Sequence, residues 1–168
     1  MTRALVTYAS KHGSTREVAE RVAEVMRDAG ADVDVLAAAE VGHLRGYDTV
    51  VLGGALYAGR LHKDARRFLA RLRDALSVRR VAVFAMGPQK IEESAGSRAQ
   101  LDRALAKVPE IDPIAVAIFG GVIDPDKLRF PFNRMPASDA RDWAAIEAWA
   151  AALAPTRTPA RSGVAGAS

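Results

Sequence analysis

Three hydroxyls and one glycine fall within the six residues Ser10-Lys11-His12-Gly13-Ser14-Thr15, where an apolar strand pattern gives way to a helical one. The chemistry open to such a set is anion binding. N–H groups in the first turn of a helix lack partners within the helix, and the helix dipole favours negative charge there. Gly13 lets the main chain approach a bound group, while Ser10, Ser14 and Thr15 offer hydroxyl donors beside the amides of Lys11 to Thr15. A phosphorylated ligand is expected. Capping of the helix by Ser14 is the other use of these residues.

The flanking elements decide where this loop sits. A strand is expected over Arg3 to Ala9, and a helix over Thr15 to Ala29 with Val18, Val22, Val25, Met26 and Ala29 in one stripe, stopped by Gly30. Val33 to Leu36 reads as a weaker second strand, and Asp48 to Gly54 as a third, apolar on both faces. Next come a helix from Lys63 to Leu76 with Phe68, Leu69, Leu72 and Leu76 inward, and a fourth strand from Arg80 to Ala85. A helix from Ser97 to Lys107 carries Leu101, Leu105 and Val108, and Ile114 to Phe119 is the fifth strand. The last helix is expected to start from Ser138 or Asp139 as cap and to bury Trp143, Ile146, Ala150 and Leu153.

Strands alternating with helices imply a parallel sheet joined by right-handed crossovers, with helices on both faces: an α/β doubly wound sandwich. Ligands of such sheets sit beyond the carboxyl ends of the strands, at the switch point. Three loops leave those ends: Ser10 to Thr15, Ala55 to His62, and Met86-Gly87-Pro88-Gln89 onward. Gly120 to Ser138 is a long connection that includes Phe130-Pro131-Phe132. The domain is expected over residues 1–154. Residues 155–168, rich in Pro, Thr and small side chains, are expected to form a disordered tail.

With 168 residues, 49% hydrophobic and 26% charged, the chain suits one globular domain. No apolar run reaches the length of a membrane span, and Met1-Thr2-Arg3 leads straight into a strand, so no signal peptide is expected and the cytoplasm is the expected compartment. The absence of cysteine excludes disulfides, thiolate metal sites and cysteine nucleophiles. The net charge of +4 is mild, and the dense basic run from Arg60 to Arg73 reads as the solvent side of a helix, so nucleic acid is not an expected partner. Neither an acid–base dyad, a metal cluster nor a nucleophile elbow is visible, so the sequence points to no catalytic residue. Acidic residues needed by a phospho-acceptor domain are missing from the ends of the first and third strands, where Tyr8-Ala9-Ser10 and Gly53-Gly54-Ala55 stand.

Neither Gly-x-x-x-x-Gly-Lys-Ser/Thr nor Gly-x-Gly-x-x-Gly follows the first strand, so ATP and NAD fit poorly and a compact phosphate monoester fits better. Here a resemblance becomes specific. Tyr8-Ala9-Ser10-Lys11-His12-Gly13-Ser14-Thr15 resembles the flavodoxin phosphate loop, Ser/Thr-x-x-Gly-x-Thr. Gly53-Gly54-Ala55-Leu56-Tyr57-Ala58-Gly59-Arg60-Leu61-His62 resembles the second flavin loop, and its small-residue start, later Gly and following His are similar to the branch containing menaquinone-dependent protoporphyrinogen oxidases. Asp142-Trp143-x-x-Ile146-x-x-Trp149-Ala150 is similar to the last helix of that branch. The resemblance spans residues 3 to 153.

It implies a flavodoxin-like fold with a five-stranded parallel sheet of order 2-1-3-4-5, and FMN as cofactor. By the same resemblance Ser10, Lys11, His12, Gly13, Ser14 and Thr15 surround the FMN phosphate. Ala55, Leu56, Tyr57, Ala58 and Gly59 flank one side of the flavin ring, with Tyr57 either stacking on it or packed at the sheet edge; Met86, Gly87, Pro88 and Gln89 approach from the other loop. Gly121 adds a rim, and His62 either serves the flavin or caps the next helix. The implied function is an FMN-dependent oxidoreductase, protoporphyrinogen oxidase-like or quinone-linked. Its partners would be a redox protein or a quinone or porphyrinogen-type molecule. A flavodoxin-type electron carrier is the alternative, although the positive net charge departs from the acidic carriers of that family. Gly120 to Ser138 is shorter than the insert of the oxidase branch, and Phe130-Pro131-Phe132 is either a remnant suited to peripheral membrane contact or a clasp over the core.

Overall fold

The runs Ala4-Leu5-Val6, Val50-Val51-Leu52 and Val81 to Met86 bury residues on both strand faces, so they need a helical layer on each side. In the computed structural model they lie in β1 (Arg3–Ala9), β3 (Thr49–Tyr57) and β5 (Arg80–Gly87), with β2 (Asp32–Ala37) and β6 (Ala115–Gly120) at the edges. Residues 2–10, 13–57, 60–87, 94–120, 122–123, 138–139 and 142–153 are described. Parallel pairing runs in the order β2-β1-β3-β5-β6, the expected 2-1-3-4-5. A sixth strand was not foreseen: β4 (Arg60–Leu61) turns back antiparallel onto β3.

Helix α1 (Ser14–Asp28) and α5 (Trp143–Leu153) cover one face, joined to Ala4, Val6, Val51 and Phe84 of the sheet. On the other face α2 (Lys63–Arg71), α3 (Arg73–Ser77) and α4 (Ser94–Ala106) pack over Leu5, Val50, Leu52 and Val83. Gly30 ends α1 as expected: at φ 101° its N–H bonds Arg27 O, while Ala31 N–H reaches Met26 O. An ion pair of Arg21 with Glu147, at 2.7 Å, ties α1 to α5.

Several boundaries move. The single helix expected over Lys63 to Leu76 kinks at Leu72 (φ −107°, ψ 18°), which keeps Leu69, Leu72 and Leu76 all in the core. The last helix begins at Trp143 and not after Ser138, because Asp142 takes the cap: its Oδ1 accepts from Ala145 N–H at 3.1 Å. Ser138–Asp139 instead forms β8, antiparallel to β7 (Val122–Ile123). Trp143 stays 36% exposed, against expectation, while Trp149 packs edge-on to Phe84 and Phe119. The Phe130-Pro131-Phe132 patch, residue 154 and the expected tail over residues 155–168 lie outside the described residues.

At the β1–β2 edge the Tyr47 hydroxyl donates to Asp34 Oδ2 at 2.5 Å, and Arg3 Nη2 donates to the same oxygen at 3.2 Å. The Tyr47 bond, opposed by desolvation and helped by Arg3, holds the Asp34 carboxyl below the ordinary carboxylate range. Stabilisation from this tie is therefore present above that range and lost as pH falls through the lowered value.

Candidate functional site

β1, β3 and β5 bring their carboxyl ends to the same side of the sheet, β3 and β5 running on past the end of β1. Ala9 pairs with Gly54, Gly54 with Ala85, and Ala55 with Met86, so Ser10, Leu56 and Gly87 emerge along one edge. Strand order reverses between β1 and β3, and the crevice above that point is where doubly wound sheets take ligands.

Gly13 occupies the cap position of α1 with φ 84°, a conformation that favours glycine, and among the described residues beyond its chain neighbours and the helix's own backbone no atom lies within 4 Å of where a Cβ would stand. With Gly13 at the cap position, Ser14 is the first residue of the helix and not its cap. The first intrahelical bond is Glu17 N–H to Gly13 O at 3.1 Å, leaving the preceding amides without an acceptor inside the helix. Thr15 opens the buried stripe of α1. It is fully buried, and its Oγ1 has no hydrogen-bond partner among the described residues. A buried hydroxyl in that state costs about 1–3 kcal/mol, which an acceptor at the helix start would offset. Donor chemistry and position both fit a phosphate. Ser10, the residue after β1, is half-buried, whereas Lys11 and His12 lie outside the described residues.

The second loop is a hairpin. Ala55 and Leu56 belong to β3, where Leu56 pairs with Leu61 and Tyr57 with Arg60. Ala55 is 9% exposed, and Leu56 packs against the core on the α2 side. The Tyr57 side chain, Ala58 and Gly59 lie outside the described residues. His62 caps α2: its Nδ1 accepts from Asp64 N–H at 3.1 Å, and its own N–H donates to Ala55 O at 2.8 Å. The small residues at the start of the loop serve packing. A Cβ on Gly53 would fall 2.1 Å from Phe84 Cζ, and one on Gly54 would fall 2.7 Å from Leu61 Cδ1.

On the third loop Met86 is buried, and Gly87 lies where a Cβ would come within 2.9 Å of Ile118 Cγ2 and 3.0 Å of Ser97 Oγ. Ser97, on α4 and itself buried, supports this edge and was not picked out from the sequence; a small residue facing a glycine was the only signal. Pro88, Gln89 and Gly121 lie outside the described residues. Among the described residues there is no cluster of metal-ligating side chains, and no helix is long and apolar enough to cross a membrane.

Known proteins agree with this geometry. The chain is similar to a flavodoxin from the domain Archaea, with 15% identity over 91% of this chain and 96% of that one, at a TM-score of 0.59. It is also similar to the flavodoxin of Streptococcus pneumonia TIGR4, with 19% identity over 89% and 95% of the two chains and a TM-score of 0.58. Rubredoxin oxygen:oxidoreductase from Desulfovibrio gigas matches at 18% identity over 88% of this chain and 34% of its own length, at a TM-score of 0.56. At these identities the likeness is one of fold. No curated protein matches the sequence. The family model for the flavodoxin domain matches residues 5–135. From β1 through the long connection after β6, the chain belongs to the flavodoxin domain family.

Proposed function

We propose that this chain binds FMN and carries electrons between a donor and an acceptor. The observation that supports it best is the buried, unpartnered Thr15 Oγ1 in the first turn of α1, directly beyond the carboxyl end of β1. Ser10, Ser14 and Thr15 would hold the phosphate with the amides of Lys11 to Thr15, and Ala55 to Gly59 and Met86 to Gln89 would flank the ring. FMN supplies reversible uptake of one or two electrons when bound; the protein supplies position, exclusion of water and electrostatics.

The finer reading, a protoporphyrinogen oxidase-like or quinone-linked enzyme, draws on the resemblance of Gly53 to His62 and Asp142 to Ala150 to that branch. With His62 capping α2, one of those matched residues has a structural use of its own. The carrier role is therefore the simpler one. An anaerobic assay of FMN-loaded protein separates them. A carrier exchanges electrons with a flavodoxin reductase and does not turn over protoporphyrinogen with a menaquinone analogue. Porphyrinogen turnover without exchange with the reductase would overturn the carrier reading.

A further inference from the structure

Two clefts, of about 380 and 200 Å³, open between the α2–α3 layer and α4, and they share Arg66, Ala104 and Lys107, so they form one groove. Its walls carry Arg60, Lys63, Arg67, Arg73, Arg103 and Lys107, all exposed. Of these six, only Arg73 has an ion-pair partner among the described residues, Glu110 at 3.9 Å. Two other nearby acids have partners off the groove walls: Asp102 pairs with Arg98 at 3.0 Å, and Asp64 lies beside His62. Read along the chain, Arg60 to Arg73 is a solvent-facing run; the fold sets Arg103 and Lys107 opposite it.

We propose that this groove docks the acidic surface of a redox partner protein. The identity of that partner as a redox protein rests on the electron-transfer reading above. A cleft walled by one sign of charge focuses its field and speeds encounter with the opposite sign by about tenfold to a thousandfold. The groove also ends in the right place. Arg60 pairs with Tyr57 at the tip of β3, and the chain entering α2 is bonded to Ala55, so a partner seated there borders the candidate site. Single-stranded nucleic acid is the less suitable occupant, because among the described residues no aromatic side chain lines the groove for bases to stack on.

Fluorescence anisotropy of a labelled acidic [2Fe–2S] ferredoxin, titrated with the full chain with and without FMN, tests this. Lys63→Glu with Arg103→Glu should weaken binding about tenfold or more at low salt. The difference should vanish near 1 M salt, where the Debye length is about 3 Å. Arg45→Glu with Arg80→Glu makes the same change in net charge at the amino ends of β3 and β5 and should cost under about threefold. Circular dichroism confirms that each variant folds. Equal losses in both pairs, no ferredoxin binding, or displacement of the ferredoxin by a single-stranded oligonucleotide at lower concentration would each overturn the proposal. Failure to take up FMN with groove-dependent ferredoxin binding intact would overturn the cofactor reading and leave the acidic docking surface standing.

Discussion

Thr15→Val leaves the apoprotein at least as stable as the parent and weakens FMN binding about tenfold to a hundredfold. The hydroxyl is fully buried without a partner, so exchanging it for a methyl group of the same shape removes an unsatisfied dipole from the core. A hydrogen bond to a charged phosphate contributes about 1.5–3 kcal/mol, which sets the size of the affinity loss. Thr15→Ser, keeping the donor, should retain most of the binding. Thr7 supplies the control. Its Oγ1 is equally buried and unpartnered, but it lies in β1 alongside Leu5 and Ala9, which face the α2 side of the sheet. Thr7→Val should therefore raise stability by up to about 1 kcal/mol and leave FMN affinity within about twofold. Urea unfolding of the apoproteins and flavin fluorescence titration provide the two readouts. An FMN affinity unchanged in Thr15→Val would remove the phosphate role from that residue.

Gly53→Ala is expected to cost about 3 kcal/mol or more. The new Cβ would stand 2.1 Å from Phe84 Cζ and 2.6 Å from both Cε atoms, so the ring has to move. It has little room to do so. Phe84 is fully buried and touches Phe119 and Trp149 at centroid distances of 5.8 Å each, and those two rings lie 5.7 Å from one another. For a chain of this size the loss corresponds to a melting temperature lower by about 10 °C. Gly54→Ala should cost less, since the atom met there at 2.7 Å is a terminal methyl of Leu61 that can rotate away. In a double-mutant cycle Phe84→Leu should recover part of the Gly53→Ala loss. Stability of Gly53→Ala within 0.5 kcal/mol of the parent, about the scatter expected at neutral sites, would contradict the packing argument.

Much of this was legible because the signals were local and agreed with one another. Buried strands that are apolar on both faces, a glycine after α1, and a Ser/Gly/Thr run between β1 and α1 each report on neighbours a few residues apart. What was missed depends on distant partners. The β4 hairpin read as part of the loop from Ala55 to His62 because its pairing, Leu56 to Leu61 and Tyr57 to Arg60, carries no strong turn dipeptide. Ser138 and Asp139 looked like caps, yet they pair with β7 while Asp142 does the capping. Helical spacing with Ile146, Ala150 and Leu153 pointed to Trp143 as the buried tryptophan of α5, whereas the aromatic cluster around Phe84 takes Trp149. Gly53 and Gly54 looked like the opening of a ligand loop; the structure gives their smallness to Phe84 and to the close approach of Leu61 and Ala65.

Binding of FMN beside riboflavin by the stripped protein tests the central claim most directly, since the two differ only in the phosphate. With Thr15 and the first turn of α1 holding that group, FMN should bind about tenfold or more tightly than riboflavin. Equal affinities, or binding of neither flavin, would contradict it.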